Sequence, residues 1–319
     1  MKILIVGAGI TGTLLAWKLY KKQIDFELWA DNKIIPASDV AAGLINPITG
    51  KRLAKIPNYE VFLHHSLQTY HEIENDFHAP LVYHHSIYRY LEDETYVHFQ
   101  NKKDFPEFQS YFQIKKNLSF PFCKKSGDYL CITSAYRVNL AFMLKLIQNE
   151  LIRNGLFFYQ HFDKKTDTTM FKKIVLCRGY KEKEDSWFPE LKWENALGEV
   201  LIFYSNELDL KDIYQAKKLT IIPLGNDYFW LGATYLRDME PFDYQPSNEL
   251  ENFLRTELTV SCQIIRKQIG IRPILKGRFP IILQSPYEPK ILMINGMGSK
   301  GTLLAPKFVD DFLQNYILI

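Results

Sequence analysis

Two kinds of apolar pattern alternate along this chain. Ile3-Leu4-Ile5-Val6 is an uninterrupted apolar run, the signature of a strand buried on both faces. Leu14, Leu15, Ala16, Trp17 and Leu19 follow at spacing that predicts a helix. Ile24 to Trp29 reads as a second, parallel strand. Residues 60–75 form an amphipathic helix, with Tyr59, Phe62, Leu63, Leu67, Tyr70 and Ile73 near helical spacing. From about 80 to 134 the pattern changes to short runs such as Ser86 to Leu91 and Tyr129 to Ile132, separated by polar turns, which predicts antiparallel sheet. A helix over Val138 to Arg153 stops at Asn154-Gly155, and Lys173 to Cys177 is again a buried strand. Strand patterns return at Val200 to Tyr204, Leu219 to Pro223 and Tyr228 to Ala233. A helix is expected over about 247–267, then the strand Ile291 to Ile294, a glycine-rich loop and a helix over about 302–316. Strand–helix units and antiparallel segments thus interleave twice, so one domain is built from discontinuous pieces and the other is inserted into it.

The first turn carries chemistry. Gly7-Ala8-Gly9-Ile10-Thr11-Gly12 stands directly between the first strand and the first helix. In such a fingerprint the first glycine allows the tight turn, the second lets a pyrophosphate approach the backbone, and the third lets the helix pack close to the sheet. The helix N-terminus would hold the phosphates on free N–H groups. An ordinary tight turn is the alternative, but the flanking strand and helix favour dinucleotide binding. An acid for the ribose hydroxyls belongs about 20 residues further on. That spacing falls on Ala30, and the acid present is Asp31, one place later. The tail loop Asn295-Gly296-Met297-Gly298-Ser299-Lys300-Gly301-Thr302 again joins a strand to a helix, and its glycines permit close approach of a ligand.

Composition narrows the class further. At 319 residues the chain has room for two domains. The 39 basic and 36 acidic residues nearly cancel, which argues against nucleic acid as a partner. Cys123, Cys131, Cys177 and Cys262 form no paired motif, so neither a zinc site nor a disulfide framework is expected, and a cytoplasmic location fits. The first strand begins too early for a signal peptide, and no apolar run reaches the roughly 18 residues of a membrane span. The pairs His64-His65 and His84-His85 point their rings in different directions, so no metal site is expected there.

Six segments, in order, resemble the FAD-dependent amine and amino-acid oxidases that include D-amino-acid oxidase and glycine oxidase. They are Gly7 to Gly12; Ala37-Ser38 with Ala41 to Pro47; Ile174 to Gly179; Gly232-Ala233-Thr234; Gly270-Ile271-Arg272-Pro273; and Gly296 and Gly301 with Leu303-Leu304-Ala305-Pro306. The resemblance implies an α/β fold, with a Rossmann-like FAD-binding domain and an inserted antiparallel-sheet substrate domain, of the glutathione-reductase-like, D-amino-acid oxidase type. Residues 1–78, 135–196 and 275–319 would form the first, and 79–134 and 197–274 the second. FAD contacts are expected from Gly7, Ala8, Gly9, Ile10, Thr11, Gly12, Asp31, Ser38, Ala42, Gly43, Leu44, Gly179, Gly296, Gly298, Ser299, Lys300, Gly301 and Thr302. Some relatives bond flavin through a Cys in the C-terminal third; none follows Cys262, so non-covalent FAD is expected.

In this family the flavin takes a hydride from the carbon bearing the amine, and the protein orients the substrate and excludes water. The resemblance implies that Arg272 clamps a substrate carboxylate, a task suited to a planar guanidinium. Lys51 and Arg52 are candidates to stabilise reduced flavin, or a solvated loop pair. Thr220 occupies the position where some relatives place a substrate-facing tyrosine, near Tyr214, and Tyr235 is a further candidate. The expected activity is oxidation of the C–N bond of a small amine or amino acid, with oxygen or a quinone as electron acceptor. Two alternatives stand beside it. Ala37 to Arg52 also resembles the oxidase domain of the bifunctional enzyme that modifies a tRNA wobble uridine, and Ala30 in place of the ribose acid leaves open a flavin-binding protein with little turnover.

Overall fold

The computed structural model describes residues 2–50, 52–184, 187–237 and 244–318. A six-stranded sheet runs in the order Ile281–Gln284, Ile291–Asn295, Lys173–Leu176, Ile3–Val6, Phe26–Ala30, Phe157–Tyr159. Ile3 pairs in parallel with Phe26 on one side and Lys173 on the other. Ile3, Leu4 and Ile5 have no exposed surface, as an uninterrupted apolar run in a central parallel strand requires. The first helix, Ile10–Lys21, lies against this sheet. It can do so because Gly12 has no side chain: a Cβ there would land on the carbonyl oxygen of Gly7.

The last helix, Gly301–Phe312, packs against both the first helix and Tyr59–Phe77. It contains Pro306, which has no N–H for the carbonyl of Thr302. The buried Tyr70 hydroxyl donates to that carbonyl at 2.6 Å instead, and Ser66 Oγ donates to the carbonyl of Leu303 at 2.7 Å. The proline is therefore accommodated by a neighbouring helix.

A ten-stranded sheet forms the second layer. Its order is Leu236–Arg237, Ala196–Tyr204, Tyr228–Gly232, Leu219–Gly225, Ile213–Ala216, Val82–Tyr90, Ser126–Val138, Leu44–Ile45. Gln263–Arg272 pairs along the Ala196–Tyr204 strand, and Phe112–Ser119 along Ser126–Val138. The predicted helices over 60–75 and 138–153 are found as Tyr59–Phe77 and Leu140–Arg153.

Two sequence expectations need correction. The helix over 247–267 is only Glu249–Glu257, and Gln263–Arg272 is a strand. The intervening Leu258 to Cys262 holds β-branched and hydroxyl residues that compete poorly as helix, and Thr259 bonds the backbone of the Pro121–Phe122 segment instead. The stretch 80–134 is not all sheet either. It contains the helix Asp93–Gln100, which buries Thr95 and Phe99 one turn apart.

Candidate active site

A cavity of about 930 Å³ lies between the ends of the parallel strands and one face of the ten-stranded sheet. At the parallel-sheet end, Gly7, Ala8, Gly9, Ile10 and Thr11 line it. Gly7 holds φ at +105°, and a Cβ there would collide with the carbonyl of Cys177. Gly9 caps the first helix without a side chain, leaving the helix N-terminus open to the cavity, and the Ile10 N–H donates to Ser38 Oγ at 3.0 Å. Ser38, Ala42, Gly43 and Leu44 line the next stretch of wall, and Gly179, Gly298, Ser299, Gly301 and Thr302 close it from the C-terminal side.

Asp31 also lines the cavity, immediately beyond the end of its strand. His161 Nδ1 lies 2.8 Å from Asp31 Oδ2, and the Lys33 N–H donates to Oδ1 at 2.9 Å. These bonds, that of His161 foremost, hold the carboxyl below its ordinary pKa, so it is an anion at neutral pH. An anionic acceptor here suits ribose hydroxyls.

Four predicted residues are placed elsewhere. Gly12 and Gly296 do not line the cavity and serve close packing; a Cβ on Gly296 would come within 2.7 Å of Leu275 Cδ1. Lys300 caps the last helix outside the lining, half-buried, where burial and then the charge of Arg278 lower its pKa. Arg52 is exposed and outside the cavity. The strands Ile48–Thr49 and Ala54–Lys55 pair as a hairpin whose turn carries it outward, and its carbonyl accepts from Lys102 Nζ at 2.7 Å. Lys51 lies outside the described residues.

The opposite end is built on the ten-stranded sheet. Residues two apart share a strand face, and Gly198 with Val200, Thr220 with Ile222, Trp230 with Gly232, and Gly270 with Arg272 all face the cavity. Trp230 Nε1 donates to the Val40 carbonyl at 3.0 Å, tying this floor to the cofactor-side segment. Gly270 leaves room for Val40, whose Cγ2 a Cβ would strike.

Arg272 stands at the edge of this floor. Its Nη1 donates to the Thr234 carbonyl at 3.2 Å, and its guanidinium carbon lies 5.4 Å from the centre of the Tyr235 ring. Thr234 is itself held: its Oγ1 accepts the Glu199 N–H at 2.8 Å. The guanidinium passes over Gly198, where a Cβ would stand 2.5 Å from Nη2 and 2.7 Å from Nη1. Burial lowers the Arg272 pKa, against the opposing effect of Tyr235, and the group stays cationic at neutral pH. No carboxylate pairs with it among the described residues. Tyr214 is fully buried beside Cys123 and outside the cavity, whereas Thr220 lines it.

Sequence reasoning missed Gly198, His161, Trp230 and Lys218, all of which line the cavity. Gly198 left a signal, since a glycine inside an apolar strand run marks close approach by another group. The others left none.

A strand–glycine turn–helix unit with an acid after the next strand, facing a second sheet across an elongated cavity, defines a dinucleotide-binding oxidoreductase fold. A family model described as FAD dependent oxidoreductase matches residues 2–307, and the chain belongs to that family. Its cofactor is FAD. The side-chain-free helix cap and the ionised Asp31 fit the pyrophosphate and ribose of that cofactor. Among solved structures, the chain is similar to glycine oxidase from Bacillus cereus (TM-score 0.81, 16% identity, covering 98% of this chain and 94% of the other). It is also similar to iminodiacetate oxidase from a Chelativorans species (0.74, 15%, 97% and 93%). A third is L-α-glycerophosphate oxidase from Mycoplasma pneumoniae with FAD bound (0.71, 15%, 98% and 94%). At these identities the likeness is one of fold. No helix among the described residues is long and apolar enough to cross a membrane.

Proposed function

We propose that this chain oxidises the C–N bond of a small amine or amino acid that carries a carboxylate, and passes the electrons to oxygen or a quinone. The observation that carries the reading is Arg272: a part-buried guanidinium at the cavity, fixed by the Thr234 carbonyl and without a carboxylate of its own. Such a group binds a planar carboxylate in two parallel hydrogen bonds. When bound, FAD supplies the hydride acceptor. The protein's part is to orient the substrate on Arg272 over a floor of Gly198, Val200, Thr220 and Gly232, and to exclude water through Trp230 and Ile222. A dedicated acid–base residue is not required. The glycine oxidase and iminodiacetate oxidase among the similar structures carry names in keeping with this chemistry.

The reading includes a division of the chain. Residues 1–78, 135–196 and 275–319 would hold the non-covalent FAD, mainly through the cavity-lining residues Gly7 to Thr11, Asp31, Ser38, Ala42 to Leu44, Gly179, Gly298, Ser299, Gly301 and Thr302. Residues 79–134 and 197–274 would hold substrate. In support, all six strands of the six-stranded sheet, parallel but for the edge strand Ile281–Gln284, come from the first set, while the other sheet draws chiefly on the second and takes Leu44–Ile45 and the end of Ser126–Val138 from the first.

The test is an anaerobic spectrum of the FAD-loaded protein titrated with glycine, sarcosine, proline and D-amino acids. Bleaching of the flavin by a carboxylate-bearing amine is expected. Arg272→Ala should lower kcat/KM for that substrate by about 30- to 1000-fold, equivalent to about 2–4 kcal/mol. An unchanged kcat/KM would remove Arg272 from its role.

A further inference from the structure

Charged residues line the cavity at both ends. The segments that follow the parallel-sheet strands carry both signs there, Asp31, Asp163 and Glu184 with Lys33, Arg178 and Lys181. On the ten-stranded sheet, the charged lining residues are Arg272 and Lys218, both cations.

Strand register sets the distance between them. Thr220 pairs with Gly232, and Gly232 with Val200, so the Leu219–Gly225 strand runs two strands away from Ala196–Tyr204. Lys218 precedes Thr220 by two residues as Gly198 precedes Val200, and these two strands are parallel. Lys218 is the second residue of the two-residue turn that leads into this strand, whose first residues thus lie level with Glu199 and Val200, two strand spacings away, or roughly 10 Å. The Arg272 guanidinium sits over Gly198.

Lys218 has no hydrogen bond or ion pair among the described residues, whereas its neighbour Lys217 is paired with the buried Glu257 at 2.7 Å. Lys218 also borders an adjoining cavity of about 750 Å³, together with Glu92, Glu94 and Glu249. Lys218 borders both cavities, so its ammonium can turn to these carboxylates or to the substrate floor.

We propose that the preferred substrate is an amine with two anionic groups, an amino or imino diacid, held by Arg272 at one carboxylate and by Lys218 at the other. This rests on the function proposed above and names its substrate class. A monocarboxylate would engage Arg272 alone, and the two cations on this side of the cavity favour the doubly charged ligand over one with a distal ammonium.

Two measurements on the FAD-loaded protein test it. The first is binding, read from the flavin absorbance change with glutarate and succinate, which have no amine to oxidise, against butyrate. The dicarboxylates should bind more tightly. Lys218→Gln should weaken them about five- to tenfold and leave butyrate unchanged, as expected for a part-exposed ion pair. Lys218→Glu should weaken them further. The second is kcat/KM for iminodiacetate, aspartate and glutamate of both hands against glycine and sarcosine. Diacids should lead, and Lys218→Gln should raise KM for diacids alone. If Lys218→Gln changes mono- and dicarboxylate binding equally, or neither, the proposal is overturned while the oxidase reading stands. If dicarboxylates bind in a Lys218-dependent way but no amine bleaches the flavin, the two-cation recognition stands and both the oxidase reading and the diacid substrate fall. Lys218 is exposed in a turn, and an unchanged melting temperature will show that the variants fold.

Discussion

Gly198→Ala is the sharpest perturbation of the site, because one methyl group tests how Arg272 is placed. The added Cβ would stand 2.5 Å from Nη2, 2.7 Å from Nη1 and 2.8 Å from Cζ of Arg272. Comfortable contact needs about 3.5–4.0 Å, so the guanidinium must move by about 1 Å. The backbone need not move, since the obstructing atoms end a flexible side chain. Gly198 is not among the residues with positive φ, so alanine fits its backbone and even removes some entropy from the unfolded chain, worth about 0.4–1 kcal/mol. The variant should therefore fold and keep FAD. What it loses is the alignment between Arg272 and the Thr234 carbonyl, now 3.2 Å. A displacement of this size at a positioning group costs up to about 100-fold, and loss of one charge-assisted bond about 1.5–3 kcal/mol. The expected result is a 10- to 100-fold fall in kcat/KM for a carboxylate-bearing amine, with unchanged FAD affinity and melting temperature. Wild-type kcat/KM in Gly198→Ala, alongside a large loss in Arg272→Ala, would refute the idea that Gly198 sets the placement of Arg272.

Other predictions concern the frame and the cofactor end. Tyr70→Phe leaves the Thr302 carbonyl without the donor that Pro306 also denies it; it should cost about 1–3 kcal/mol in chemical denaturation, and an unchanged midpoint would refute that account. Gly12→Ala drives a Cβ into the backbone oxygen of Gly7, which cannot step aside; a loss of about 1–3 kcal/mol with reduced flavin content after purification is expected. Asp31→Asn should weaken FAD binding and lower the melting temperature at neutral pH. Because the folded-state pKa of Asp31 is depressed, its contribution is present above the unfolded value of about 3.9 and is lost as pH falls through the lower folded value. The gap between parent and Asp31→Asn should therefore close only below about pH 4, and a gap that closes near neutrality would contradict it.

The two ends of the cavity differ in how far the sequence discloses them, and the reason is physical. The cofactor end is written in contiguous residues. Gly7 to Gly12 specify a turn, a close approach and a packing contact by local backbone demands, so strand, turn and helix are legible within one segment. Asp31 is legible only to within one position, because a strand end shifts by a residue at no cost to the pattern. Arg52 is legible only as two alternatives, a flavin-facing cation or a solvated loop residue, because nearness in sequence to Asn46 and Pro47 says nothing about the hairpin that exposes it. The end proposed for substrate is written across strands. Gly198, Lys218, Trp230 and Arg272 lie up to 74 positions apart, from 198 to 272, and meet only through register. One of those strands, Gln263–Arg272, begins within a stretch whose pattern predicted helix. Its pairing along Ala196–Tyr204 overrides local preference and fixes where Arg272 points. The FAD cofactor is thus legible in short motifs, while on the function proposed above substrate choice depends on which side chains the register brings level. A one-residue slip of Leu219–Gly225 would turn Thr220 to the other face and displace the turn that carries Lys218, without altering any motif.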